Sequence, residues 1–163
     1  PEACIIDTII DVVACELTIT ARAKGINRVY LPTYFQQVMS TWQLPDGNCN
    51  RNVIDYQEKI ISKFIPNDVS RCEKVYIPMN DRRVHWFLIV IDLQHRRVDL
   101  LDSLPLNKSN DYRREAAEEL LRSSVQYSMR SSNLTHLFGA ASNFPMHVAP
   151  VASQADGTWK KSS

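Results

Sequence analysis

Apolar residues recur at helical spacing in three segments of the first 70 positions. From Cys4 to Leu17, isoleucine, valine and leucine fall every three or four residues with acidic residues between them, which predicts an amphipathic helix. A second helix is predicted from Thr33, because Thr33 and Gln36 have the spacing of a capping box. A third is predicted over Val53–Phe64. The N-terminal part of the chain is therefore expected to be mainly helical.

The period changes after residue 70. Val75–Ile77 reads as a short strand ended by Pro78, and the apolar, β-branched run Val84–Ile91 reads as a strand buried on both faces. A polar turn separates that run from a return strand, Val98–Asp102. These two strands are predicted to form a β-hairpin.

The last third of the chain gives weaker signals. A helix is predicted from Asn110 to about Ser124, and Phe144–Val148 resembles a final strand. The serine- and asparagine-rich stretch 128–142 shows little periodicity and is predicted to be a loop. Helices followed by a largely antiparallel sheet indicate an α+β fold, and 163 residues fit one domain over 1–163.

Composition excludes several classes of protein. Hydrophobic residues make up 44% and charged residues 23% of the chain, as expected for a packed globular domain rather than a disordered one. The net charge of +1 gives no electrostatic signature of nucleic-acid or membrane binding. The longest apolar run, Trp86–Ile91, is far shorter than the roughly 20 residues of a spanning helix. We therefore expect no nucleic-acid partner and no membrane span.

The cysteines and most histidines suggest no metal site. Cys4, Cys15, Cys49 and Cys72 contain no C-x-x-C pair and no close histidine, so neither zinc nor another cofactor is expected. Reduced thiols in a nuclear or cytoplasmic protein are the default interpretation, with the cysteines after Cys4 packed as small buried hydrophobes. The remaining histidines are interpreted as exposed or loop residues: His95, His136 and His147.

One pair of residues has a geometry that supports chemistry. If the turn at Gln94-His95 sets the hairpin register, paired positions sum to 189, and His85 lies diagonal to Asp102 on one face. A carboxylate on one imidazole nitrogen fixes the tautomer that lets the other nitrogen act as a base. We therefore expect an imidazole nitrogen of His85 within about 3 Å of an Asp102 oxygen. The alternative is a purely structural hydrogen bond.

These residues resemble a known family. The runs Val75–Asn80, Val84–Asp92 and Leu100–Leu104 are similar to those of the Ulp1/SENP-type ubiquitin-like-protein proteases. Weaker similarity extends to Ile5–Ile10 and to Gln154–Thr158, which resembles the stretch before the family's nucleophile. The resemblance therefore spans nearly the whole chain.

The resemblance implies a fold, an activity and residue roles. It implies a papain-like (adenain/Ulp1-type) cysteine protease that hydrolyses a peptide or isopeptide bond after the Gly-Gly of a SUMO- or ubiquitin-like modifier. The modifier and its conjugates would be the partners. His85 would be the general base, Asp102 would orient it, and Gln154 would donate to the oxyanion. Trp86 would help to form the channel for the Gly-Gly tail, although a tryptophan in an apolar strand can also be core.

The chain departs from the family at the nucleophile. The family's cysteine falls at Lys160-Lys161, and no cysteine follows Cys72. Because agreement stops abruptly after Thr158, we interpret the chain as a catalytic domain cut short before its nucleophile, by splicing, a frameshift or truncation, and expect it to be inactive. A pseudoenzyme that only binds the modifier is the alternative. A papain-like order with Cys4 as nucleophile is a further alternative, since a helix N-terminus lowers a thiol pKa.

Overall fold

The computed structural model describes residues 2–81, 85–103 and 112–150. Three helices precede most of the sheet, and two more helices lie between its fourth and fifth strands. The predicted α+β class is confirmed. The elements in chain order are α1 (Glu2–Lys24), β1 (Arg28–Tyr30), α2 (Tyr34–Thr41), α3 (Arg51–Phe64), β2 (Lys74–Asp81), β3 (His85–Asp92), β4 (Arg97–Asp102), α4 (Tyr112–Ser128), α5 (Ser132–Phe138) and β5 (Met146–Pro150), with a 3₁₀ turn at Ala141–Asn143.

The strands form one sheet in the order β1-β2-β3-β4-β5. The three central strands are antiparallel, and the outer strands run parallel to their neighbours. Leu88 pairs with Leu101 and Asp92 with Arg97, so the predicted register, in which positions sum to 189, is present. The connection is longer than predicted: Leu93 to Arg96 form the turn, with Arg96 in the left-handed region at φ 53°.

The prediction that β2 ends at Pro78 is wrong, because β2 continues to Asp81. The Tyr76 carbonyl accepts a hydrogen bond from the Leu31 N–H on the β1 side. The nitrogen of Pro78, two residues further along β2, faces the same side, but β1 pairs with β2 only as far as Tyr76. A proline is tolerated there because no ladder hydrogen bond requires its missing N–H.

Several other predictions are corrected. β1 was not predicted, because three residues are too few to show alternation. Residues 128–142 are not a loop: α5 begins after Ser131, whose side chain accepts from the Leu134 N–H, and it buries Leu134, Leu137 and Phe138. Seven residues give barely two helical turns, which is too short for a convincing period.

The Thr33–Gln36 capping box is also absent. The Thr33 side chain makes no capping hydrogen bond, and its backbone N–H donates to the Asp11 carboxylate at 2.6 Å. The Gln36 side chain instead hydrogen-bonds both backbone groups of Asn80 on β2, at 2.8 and 3.1 Å. The start of α2 is thus tied to α1 and to the far end of β2.

The first helix buries a different face from the one that an amphipathic helix is expected to bury. α1 buries small side chains, Ala14, Thr18 and Ala21, while five of its larger apolar residues are 42 to 58% exposed: Ile9, Val12, Val13, Leu17 and Ile19. Small residues allow close approach to β1, where the Thr18 hydroxyl contacts the Tyr30 carbonyl. Neither α1 nor any other helix in the described ranges is long and apolar enough to cross a membrane.

Candidate active site

The inward face of the sheet changes from apolar to polar at one end. Because side chains alternate along a strand, the register places Asp81, His85 and Asp102 on the same face as the buried apolar rows. These rows belong to the main core beneath α2, α4 and α5, and on the three central strands they consist of Val75, Ile77, Met79, Phe87, Ile89, Ile91, Val98 and Leu100. The polar residues therefore close the core at the ends of the strands.

His85 and Asp102 meet at this end. His85 Nε2 lies 2.6 Å from Asp102 Oδ1, as the register predicted, and the two side chains are 14% and 1% exposed. Since an ionised carboxylate can only accept, Nε2–H is the donor. In the neutral imidazole this contact assigns the proton to Nε2 and makes Nδ1 the basic nitrogen.

An arginine at the start of α4 completes the cluster. Arg113 Nη1 donates to Asp102 Oδ2 at 2.8 Å, and Arg113 Nε donates to Asp81 Oδ2 at 2.8 Å. The Tyr112 hydroxyl donates to the same Asp81 oxygen at 2.5 Å. The arginine side chain is only 7% exposed. One buried cation thus joins the carboxylates at the ends of β2 and β4.

Hydrogen bonds to two carboxylates favour the charged form of Arg113. Burial by itself would lower the pKa of Arg113, but its hydrogen bonds to Asp81 and Asp102 outweigh that effect and raise the pKa above the ordinary value. With a neutral His85, these four side chains carry one net negative charge. The cluster thus places more negative than positive charge beside the imidazole.

Two members of this cluster, Arg113 and Asp81, were not predicted from the sequence. Arg113 occupies the buried stripe of α4, in register with Ala117, Leu120 and Ser124. A charged residue at such a position needs a partner, and this was the available signal. Asp81 continues the alternation of β2 beyond Pro78, where the predicted strand ended.

The sequence profile of the "Ulp1 protease family, C-terminal catalytic domain" matches residues 6–150. This match covers most of the 163 residues. The chain belongs to the Ulp1 protease family.

Solved structures of Ulp1 share the fold. The SUMO protease Ulp1 with its catalytic cysteine oxidised to a sulfenic acid superposes with a TM-score of 0.57 at 21% identity, over 93% of this chain and 58% of that one. The C-terminal Ulp1 protease domain in complex with Smt3, the yeast ortholog of SUMO, gives 0.56 at 21% identity, over 93% and 57%. The chain thus spans less than three fifths of these relatives. No curated protein matches it.

The resemblance to Ulp1 proteases also assigns roles to Trp86 and Gln154. Trp86 follows His85 on β3 and is only partly buried, so it is not simply a core residue. Its role in a substrate channel remains a prediction. Gln154, Lys160 and Lys161 lie outside the described residues.

None of the three cysteine thiols that the structure describes hydrogen-bonds to His85. Cys15 and Cys49 are exposed, which corrects the expectation that they are buried. Cys72 precedes β2 by two residues, at the end of that strand opposite to Asp81, and the strand itself spans about 23 Å. Burial raises the Cys72 pKa to about 11, which disfavours the reactive thiolate. The Cys4 side chain lies outside the described part of the chain.

A second histidine–aspartate pair lies at the other end of the same hairpin. His95 Nδ1 donates to Asp92 Oδ2 at 2.9 Å, and the His95 backbone N–H donates to Asp92 Oδ1 at 2.9 Å. Lys74 Nζ lies 3.4 Å from Asp92 Oδ2. The His95 side chain is 60% exposed, as a turn residue should be. Its pairing with Asp92 was not predicted.

Proposed function

We propose that the His85 cluster is the acid–base part of a thiol protease site that acts after the Gly-Gly of a SUMO- or ubiquitin-like modifier. The observation that carries the proposal is the 2.6 Å contact between His85 Nε2 and Asp102 Oδ1 at the closed end of the core. Membership of the Ulp1 protease family supports the reaction class. The relative in complex with Smt3 supports a ubiquitin-like partner.

The reaction would proceed through a thioester. Asp102 holds Nε2–H, and Nδ1 of His85 takes the proton of a thiol, whose sulfur attacks the carbonyl carbon of the terminal glycine. Gln154 donates to the resulting oxyanion. The imidazolium returns the proton to the departing amine as the C–N bond breaks. Water, deprotonated by His85, then hydrolyses the thioester and releases the modifier carboxylate and the thiol.

The substrate channel and the compartment follow from the same proposal. Trp86, partly exposed next to His85, would provide one wall of a channel that is too narrow for any residue larger than glycine. Four cysteines without a predicted disulfide framework suit a nuclear or cytoplasmic protein.

The 163-residue sequence has no cysteine after Cys72, so we propose that this chain by itself does not cleave. An oxyanion donor and substrate binding alone leave about 10³- to 10⁴-fold over water in the comparable serine-protease case, which an ordinary assay does not detect. Two lysines, Lys160 and Lys161, stand where the resemblance places the family's cysteine, and they favour a second candidate function, a pseudoenzyme that binds a ubiquitin-like modifier without cleaving it.

Grafting the missing part of the site tests these proposals. In an extended chain, the Ulp1 segment that begins at the catalytic cysteine replaces the residues after Trp159; the control carries serine for that cysteine. Both are incubated with a SUMO precursor. We expect cleavage by the extended chain only. Modifier binding without cleavage by the folded extended chain would favour the pseudoenzyme.

The unextended chain decides the Cys4 alternative. We expect it to show no thiol-dependent cleavage of a Gly-Gly amide reporter. Cleavage that Cys4→Ser abolishes and Cys15→Ser preserves would contradict the proposal and assign the nucleophile to the start of α1.

A further inference from the structure

We propose that Arg113 is a positioning residue of this site, whose guanidinium holds Asp102 in the orientation that fixes the tautomer of His85. The effect on the imidazole is independent of catalysis. Its consequence for the rate rests on the proposed function.

The two oxygens of Asp102 have different partners. Oδ1 accepts from His85 Nε2 at 2.6 Å, and Oδ2 accepts from Arg113 Nη1 at 2.8 Å. Rotation of the carboxylate away from the arginine would therefore also move Oδ1 relative to the imidazole. An acceptor held at Nε2 selects the Nε2–H tautomer, and the selection weakens when the acceptor is free to turn.

Arg113 is itself held in place. Its Nε donates to Asp81, which also accepts from the Tyr112 hydroxyl, and Asp81 lies directly opposite His85 in the sheet. The guanidinium is planar and presents its donors in a fixed geometry, so contacts on two sides define its plane. A lysine ammonium is a point charge on a flexible stem and cannot reproduce both directions.

A purely structural role makes a different prediction. If Arg113 only neutralised two buried carboxylates, removing it would change stability and leave the imidazole tautomer of the folded protein as it was. The tautomer therefore distinguishes positioning from simple charge compensation.

The experiment is ¹⁵N NMR of histidine-labelled 163-residue chain, at a pH where the imidazoles are neutral. We expect His85 in the wild type to give one protonated-type signal, from Nε2, and one unprotonated-type signal, from Nδ1. In Arg113→Met the two signals should move towards each other, and in Arg113→Lys they should move part of the way. Arg114→Met is the matched control, because Arg114 is exposed and its ion-pair partner among the described residues is the neighbouring Glu118; the His85 signals of this variant should stay in place.

Backbone amide spectra identify which variants fold. If Arg113→Met does not fold, Arg113→Lys decides the question, since it keeps the charge. Wild-type signal positions for His85 in a folded Arg113→Lys, or equal shifts in Arg114→Met, would overturn the proposal.

The extended chain separates this inference from the proposed function. There Arg113→Lys should lower kcat by about ten- to a hundredfold, the range found when the hydrogen-bond partner of a metal-ligating histidine is removed, with KM little changed. If the tautomer shifts but no extended chain cleaves, the proposed function fails and the positioning role stands. If the extended chain cleaves and Arg113→Lys changes neither tautomer nor kcat, only the positioning role fails.

Discussion

The β3–β4 hairpin carries a histidine–aspartate pair at each end, and the two pairs differ in their surroundings. At the His85 end, the imidazole side chain is 14% exposed and the aspartate is also held by a buried arginine. At the His95 end, the imidazole is 60% exposed and the additional cation is Lys74, which is 29% exposed. The same two residue types therefore form an enclosed site at one end and a turn at the other.

The pairs also differ in how the chain brings them together. His95 and Asp92 are three residues apart, so the turn alone places them, and the aspartate accepts from the backbone N–H as well as the ring. His85 and Asp102 are 17 residues apart and meet only if the whole hairpin is in register. A contact that depends on long-range register and is largely buried is a better candidate for chemistry than one that a turn provides.

The largest expected difference between the two ends concerns the cations. Arg113→Met leaves two buried carboxylates without their shared partner and should destabilise the fold by about 3–5 kcal/mol. Lys74→Met removes a partly exposed partner and should cost under about 1 kcal/mol. Urea unfolding followed by circular dichroism measures both. Equal costs would show that the two ends do not differ in this way.

A smaller difference concerns the thiol near the His95 end. Burial raises the Cys72 pKa from 9.0 to about 11, so its thiolate fraction at pH 8 should be about a hundredfold lower than without the shift. Iodoacetamide should therefore modify Cys15 and Cys49, which are exposed, well before Cys72, as peptide mass spectrometry can follow. Rapid labelling of Cys72 in the folded chain would mean that a reactive thiol does exist at this end.

The smallest expected effect is the pH dependence of the His95 end. Burial opposes ionisation of Asp92, but hydrogen bonds from His95 and Lys74 outweigh it and lower the Asp92 pKa below its ordinary value of 3.8. The ionised group therefore stabilises the fold above pH 3.8, and this contribution is lost as the pH falls through the lower folded-state pKa.

Asp92→Asn tests that sign. The substitution should lower the free energy of unfolding by about 1–2 kcal/mol at pH 7. The difference in this free energy between the variant and the wild type should narrow as the pH falls below about 4. Asp99→Asn is the control, because Asp99 lies on the same hairpin and, within the part of the chain that the structure describes, forms its ion pair with the exposed Arg97. If the difference in unfolding free energy between Asp92→Asn and the wild type widened towards low pH, the assigned role of Asp92 would be contradicted.

The sequence predicted the hairpin better than its surroundings. The register followed from turn position and alternation, which are local, and it brought His85 to Asp102. Arg113 could not be placed beside them from local pattern, because its contact depends on how α4 packs on the sheet. The exposed side of α1 was missed for a related reason: burial of Ala14 and Ala21 reflects close approach to β1, which apolar periodicity does not encode.

The most direct test compares the two histidines in the extended chain. His85→Ala and His95→Ala are each assayed for kcat/KM on a SUMO precursor, after circular dichroism has shown that both fold. If the His85 end alone activates the thiol, His85→Ala should lose at least about 10³-fold, in the range of triad removals, and His95→Ala should stay within about twofold of the extended chain. Retained activity in His85→Ala, or an equal loss in both variants, would contradict the account.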